Sequence, residues 1–180
     1  AVVVLAHIGR TPADLRTTAD AMGLPLLSSP LPSPRVIDRL QAYLTRALAA
    51  QTTLHGVYME VLGVGVLITG ESGMGKSELA LELLSRNHRL IADDAVEFSR
   101  TNPDVLLGRS PEMLSGLLEV RGLGILNARA MFGDTAIRSE KTLRLILRLE
   151  QMKKHGMGKI DRLQAEQKTR RILDVDIPEV

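Results

Sequence analysis

The stretch Val64-Gly65-Val66-Leu67-Ile68-Thr69-Gly70-Glu71-Ser72-Gly73-Met74-Gly75-Lys76-Ser77 decides how the rest of the chain is read. Its first six residues form a mostly apolar run of strand length. Its last eight fit G-x-x-x-x-G-K-[ST], the phosphate-binding loop, at every fixed position. Glycines let the backbone fold tightly around phosphate oxygens, so that successive N–H groups point inward as an anion nest. Lys76 supplies a cation for the outer phosphates, and the Ser77 hydroxyl can reach Mg²⁺. Ser77–Leu84 then reads as a helix whose N-terminal dipole faces the phosphates. Chance gives such a match in roughly one chain in two hundred of this length, so a plain Gly-rich turn is a poor rival. Gly70, Glu71, Ser72, Gly73, Met74, Gly75, Lys76 and Ser77 are therefore taken as a nucleotide-phosphate site.

Working outward, the 180 residues suffice for one domain with a sizeable core, or one domain and part of another. Hydrophobic residues at 44% and charged residues at 24% are ordinary for a globular protein. A net charge of +2 is too small to argue for a polyanionic partner. Tyr43, Tyr58, Phe98 and Phe132 are the only aromatics, which weighs against a nucleic-acid partner read by base stacking. The absence of Cys excludes disulfides and thiolate metal sites and fits a reducing, cytoplasmic setting. No apolar run approaches the ~18–20 residues of a membrane span, so no membrane partner is expected. Ala1–Ala6 lacks the basic leader of a signal peptide and starts mid-strand without Met, so residues are expected to precede it.

Two regions are expected. In residues 1–54, Ala1–Ile8 reads as a buried strand, and Thr11 reads as the cap of a helix with Pro12 at its first position. Gly23 stops that helix, and Leu24–Leu27 is a short extended piece. Ser33 and Pro34 then open a second helix with Ile37, Leu40, Leu44 and Leu48 along one face. This is the C-terminal part of an α/β domain with a linking helix, too small for a core of its own. From His55 to Val180, alternating Val57, Met59 and Val61 lead into the strand before the loop, and Arg89–Ala92 is a short strand after the loop helix. Leu143–Leu149 reads as a half-buried strand, Met152–Lys159 as a loop, and Arg171–Val175 as a further strand. So strand-rich an order around one strong helix predicts a mixed sheet.

Asp93 and Asp94 end the short strand, 17 residues after Lys76 for the first of them. Adjacent acids at a strand end suit metal support and proton abstraction, though turn-prone Asp pairs also cap turns. A strand that directly follows the loop helix can end beside the phosphates, which favours the chemical role. In Leu118-Glu119-Val120-Arg121-Gly122-Leu123-Gly124-Ile125, two glycines flanking an acid and an arginine suggest backbone close to a ligand, with Glu119 as a second Mg²⁺ ligand. An ordinary turn with a surface ion pair reads equally well there. His55 lies at the start of the strand expected to pair with the loop strand, where a tunable imidazole would be useful, but a lone His is more often structural.

Together these segments resemble the bacterial HPr kinase/phosphorylase family, as do His55-Gly56-Val57-Tyr58, Phe132–Arg138 and Asp161-Arg162-Leu163. The resemblance runs from about His55 to Val180. It implies a phosphoenolpyruvate carboxykinase-like α/β kinase domain with a mixed, strand-rich sheet over residues 55–180, preceded by part of a smaller α/β domain over residues 1–54. It implies ATP on Gly70–Ser77, Lys76 at the outer phosphates, and Mg²⁺ supported by Ser77 and Glu119. Asp94, with Asp93 beside it, would be the base toward a substrate serine, and His55 and Arg162 would steer the acid and neutralise phosphoryl charge. The activity implied is phosphorylation of a serine of the phosphocarrier protein HPr of the sugar phosphotransferase system. Its reverse is phosphorolysis, in which phosphate enters and pyrophosphate leaves. A homohexamer is implied as well. The chain also stops before a Pro- and Gly-containing segment that the family uses for dephosphorylation, so the catalytic region is expected to be C-terminally incomplete. The rivals are a small-molecule kinase of the carboxykinase-like class and a regulatory nucleotide-binding module. The carboxykinase reading lacks its extra metal-binding residues, and a regulatory module has no need of Asp94.

Overall fold

A computed structural model describes residues 1–151 and 168–180 of the protein. It forms two compact units, Ala1–Ala49 and Ala50–Val180. In the first, β1 (Val3–Leu5) and β2 (Leu26–Ser28) pair in parallel across the crossover helix α1 (Ala13–Ala21), and α2 (Ser33–Ala47) follows. The N-cap of α1 is Pro12, one residue later than expected, because Ala13 is its first helical residue. The His7 ring instead serves the second helix, accepting a hydrogen bond from Ser33 N at 3.3 Å. The expected buried strand over residues 1–8 shortens to three partly exposed residues, because a two-stranded sheet of three-residue strands has nothing to bury it. Ala19 is the one buried apolar residue described in this unit.

The second unit begins with β3 (Gln51–His55), β4 (Val57–Val61) and β5 (Val64–Gly70). Helix α3 (Lys76–Ser85) leaves the phosphate loop, and β6 (Arg89–Ala92) returns along the sheet. Then come β7 (Ala95–Asn102), β8 (Val105–Arg109), β9 (Leu117–Val120), β10 (Gly124–Asn127) and the short α4 (Ala128–Phe132). β11 (Glu140–Leu149), β12 (Lys168–Ile172) and β13 (Val175–Glu179) complete the described chain. Among the described residues these build a nine-stranded mixed sheet in the order β3-β7-β8-β11-β5-β4-β6, with β13 on β11 and β12 on β13. The fold is α/β with a curled sheet.

The curl follows from β11. Its first residues, Glu140–Thr142, pair antiparallel with β8, whereas Leu143–Leu149 pair parallel with β5, and the register shifts between Leu143 and Leu145. A bulge at that handover bends the strand and lets one strand serve two parts of the sheet. Both faces are consequently buried, so β4 is buried at successive positions, Val57 to Glu60, rather than at alternate ones. Val57, Met59, Val66 and Ile68 pack with Ala80 and Leu84 of α3 and with Leu118 of β9. Tyr58, Leu67 and Ile91 point the other way and pack with Phe98, Leu106 and Ile177. There the Tyr58 and Phe98 rings meet edge to face at 5.3 Å. Gly108 has to be glycine, since a Cβ would lie 2.5 Å from Phe98 and 2.6 Å from Tyr58. Burial drives the Tyr58 phenol far above its ordinary range, and it donates to Lys141 O at 2.8 Å.

One expected strand is corrected. Residues 171–175 contain a tight turn, because Leu173 and Asp174 take φ of 46° and 61° and join β12 to β13 as an antiparallel hairpin. Positive φ at both central residues matches the twist of the flanking strands. The loop expected over Met152–Lys159 lies outside the described residues.

Candidate active site

The phosphate loop occupies the gap between β5 and α3. Gly70, Gly73 and Gly75 take φ of 146°, 81° and 83°, where side chains are strained. Gly70 has a second reason to lack a side chain, since a Cβ would sit 2.7 Å from Leu149 O of the neighbouring strand. Gly75 caps α3, so the helix begins at Lys76 and Ser77 and presents its N-terminal dipole to the loop. The Lys76 ammonium folds back over the loop and donates to Gly70 O at 3.0 Å and Glu71 O at 2.9 Å.

Asp93 and Asp94 lie where β6 turns into β7. Asp93 is buried, and its Oδ2 accepts from Glu119 N at 2.8 Å. Burial raises its pKa from the ordinary 3.8, against the lowering effect of the Glu119 and Asp94 N–H groups. Asp94 takes a left-handed φ of 65°, a conformation that Asp tolerates better than most residues. Its side chain is thereby thrown outward, 80% exposed. His55 ends β3, which pairs with β7, rather than beginning a strand beside the loop strand as expected. That pairing brings His55 Nδ1 to 3.2 Å from Asp94 O and 3.7 Å from Asp94 Oδ1.

Glu119 reaches the same place by strand alternation. Leu118 and Val120 are buried under α3, so Glu119 faces outward. The following turn sets Arg121 against the loop, its Nη1 3.1 Å from where a Cβ on Gly73 would lie. A cleft of about 520 Å³ is lined by His55, Lys76, Ser77, Asp93, Asp94 and Glu119, with Gly70, Ser72, Gly73 and Gly75 of the loop. Glu71 and Met74 face a neighbouring cleft instead. Arg162 lies outside the described residues. Gly56, Glu78 and Arg121 also line the first cleft, without having been assigned a role from the sequence. Of these only Arg121 left a signal, its place between Glu119 and Gly122.

The donors here are a hydroxyl and carboxylates, hard oxygen ligands that fit Mg²⁺. No group of three or more His, Cys, Asp or Glu suited to a metal occurs among the described residues. Mg²⁺ is commonly held by one or two protein oxygens plus substrate phosphates rather than by a full protein cage. Among the described residues no helix is long and apolar enough to cross a membrane.

A family model described as HPr Serine kinase C-terminal domain matches residues 46–180. The HPr kinase/phosphorylase of Stenotrophomonas maltophilia (strain K279a) is 52% identical over 177 residues, which cover 98% of this chain and 56% of that protein. That of Xylella fastidiosa (strain M12) is 54% identical over 168 residues, covering 93% of this chain and 53% of that protein. The chain thus spans about half the length of the curated relatives it matches. The solved structure of the Hpr(Ser) kinase/phosphatase from Coxiella burnetii is similar at a TM-score of 0.66 and 31% identity, over 72% of this chain and 77% of that chain.

Proposed function

The chain belongs to the HPr kinase/phosphorylase family, and on that premise we propose that it transfers the terminal phosphoryl group of ATP to a serine hydroxyl of HPr and runs the phosphorolytic reverse. The observation that carries this is the cleft in which the phosphate loop, Asp94, His55 and Glu119 meet. Phosphoryl transfer asks a protein chiefly to position two oxygens in line and to balance charge, and these residues supply both functions. The loop N–H groups, Lys76 and the α3 dipole hold the phosphates. Ser77 and Glu119 would hold Mg²⁺, whose positive charge would offset the phosphates beside the acid-rich side of the cleft.

Asp94 is the exposed acid of the pair and acts as the base. In the forward direction the serine oxygen forms a bond to the γ-phosphorus, the bond to the ADP oxygen breaks, and Asp94 takes the serine proton. In reverse, an oxygen of inorganic phosphate attacks the phosphoserine phosphorus, the phosphorus–serine oxygen bond breaks, and Asp94 returns the proton to the serine. Pyrophosphate then leaves. His55 holds the Asp94 carboxylate in place, and Asp93 holds the backbone of Glu119. Arg162 is assigned to phosphoryl charge, the assembly to a homohexamer, and the setting to the cytoplasm, on family likeness.

The test is to incubate the protein with HPr, Mg²⁺ and γ-labelled ATP. Label on a serine of HPr, released as pyrophosphate when phosphate is added, is expected. Hydrolysis of ATP with no label on HPr would overturn the assignment.

A further inference from the structure

The phosphate loop borders a second cleft, of about 610 Å³, which shares Gly70 and His55 with the first. Its volume falls in the range of small-molecule sites. Its wall is the end of β11, Arg148 to Gln151, with Arg170 of β12 and Glu179 of β13. This wall is fixed to the loop. Leu149 pairs with Gly70, and β13 is stitched to β11 by Arg148 N donating to Val180 O at 2.8 Å and Val180 N to Ile146 O at 3.0 Å.

The charge of this cleft differs from that of the phosphate nest. Among the described residues that line it, Glu71, Glu150 and Glu179 outnumber Arg148 and Arg170, and none is a lysine. A polyphosphate gains less from these side chains than from the loop nest. A neutral molecule rich in hydroxyls and ring nitrogens would be suited. Carboxylates accept hydrogen bonds from ribose hydroxyls, as in dinucleotide sites. Guanidinium planes stack on heterocyclic bases, which matters where no Phe, Tyr or Trp lines the cleft. Arg148 is paired with Glu150 at 3.0 Å, whereas Arg170 and Glu179 have no ion-pair partner among the described residues. At the inner edge, the buried Thr69 hydroxyl has no hydrogen-bond partner among the described residues either. Buried polar groups seldom stay unpaired, so this one points to a ligand or ordered water that completes the site.

We propose that this second cleft holds the nucleoside end, ribose and base, of the nucleoside triphosphate whose phosphates lie on Gly70–Ser77. Its carboxylates take the ribose hydroxyls and Arg170 covers the base. The proposal rests on the nucleotide reading of the loop and adds to it where the rest of the nucleotide goes. Gly70, common to both clefts, is where the sugar gives way to the phosphates.

Equilibrium binding of ATP, inorganic triphosphate and pyrophosphate, each with Mg²⁺, tests it on the wild type and on Arg170→Ala and Glu179→Gln made singly. Both residues sit on the outer strands β12 and β13, and melting temperature verifies folding; if one variant fails to fold, the other decides. The wild type is expected to bind ATP about tenfold or more tighter than triphosphate. Each variant should narrow that gap severalfold while leaving triphosphate and pyrophosphate affinity unchanged. No gap in the wild type, or a gap that survives in folded variants, overturns the nucleoside cleft and leaves the loop assignment standing. Failure of the wild type to bind any of the three would instead overturn the loop reading, and the cleft with it.

Discussion

Glu60 and Asp93 are both buried, at 9% and 8% exposure, and they stand at opposite ends of the β4–β6 pair. Their surroundings are opposite too. Glu60 faces Lys141 at 2.8 Å, Arg89 at 3.1 Å and Arg138 at 3.8 Å. The Lys141 hydrogen bond above all, with the charges of all three cations, pulls its pKa below the ordinary 4.5 despite burial. Asp93 has backbone N–H groups and two further acids, Asp94 and Glu119, around it, and burial prevails. The chain neutralises the carboxylate that only holds the sheet together. It leaves unneutralised the one beside the phosphate loop, where positive charge is expected to arrive with the substrate. Perturbed groups of the second kind mark functional sites, and those of the first kind usually do not.

The contrast can be broken at several points. Lys76→Ala should lower turnover about 10²–10³-fold, the usual loss for one preorganised charge at a reacting phosphate, with little change in melting temperature. Among the described residues the ammonium bonds only loop carbonyls, so no core contact is lost. Unchanged turnover and ATP affinity would defeat the loop assignment. Glu119→Gln should raise the Mg²⁺ concentration for half-maximal rate on the order of tenfold and leave the metal-free melting curve in place. A superimposable Mg²⁺ titration would remove Glu119 from the metal.

The stability of the two carboxylates should respond in opposite ways. Glu60→Gln should lose about 1–2 kcal/mol, because its cations are partly exposed, and should keep the wild-type rate. Since the folded pKa of Glu60 is lowered, its contribution is complete above pH 4.5 and fades as pH falls through the folded value. Wild type and variant should therefore converge in acid. Asp93→Asn should melt no lower than wild type without metal, yet lose activity. Its folded pKa is raised, so wild-type stability from this group is present below pH 3.8 and lost as pH rises through the folded value. The variant should gain on wild type over that rise. Melting curves across pH read both, and a parallel response of the two variants would dissolve the distinction.

The α/β class was legible because its signals are local. Loop, helix and Asp93–Asp94 fall within 25 residues, from Gly70 to Asp94, and each is punctuated by glycine or charge. The β7–β8 hairpin was not legible. Val96 and Phe98 give only two alternating core positions, and in β8 a glycine, Gly108, occupies a core position where a hydrophobic residue would have shown the period. His55 and Asp94 meet across 39 residues through the β3–β7 pairing, which no spacing rule supplies. The wall of Arg148, Arg170 and Glu179 was silent for the same reason, since it depends on β13 adding to β11. The turn at Leu173–Asp174 was hidden because neither residue is glycine or proline.

The claim that one exposed acid serves both directions of phosphoryl transfer is tested most directly by Asp94→Asn. HPr phosphorylation, phosphorolysis of phosphoserine-HPr, ATP affinity and melting temperature should be measured on the same preparation. Both rates are expected to fall about 10²–10⁴-fold, the range for a lost general acid–base, with ATP affinity and melting temperature held. Survival of one direction at the wild-type rate while the other collapses would contradict the shared base. A fall in binding and melting in step with activity would make Asp94 structural.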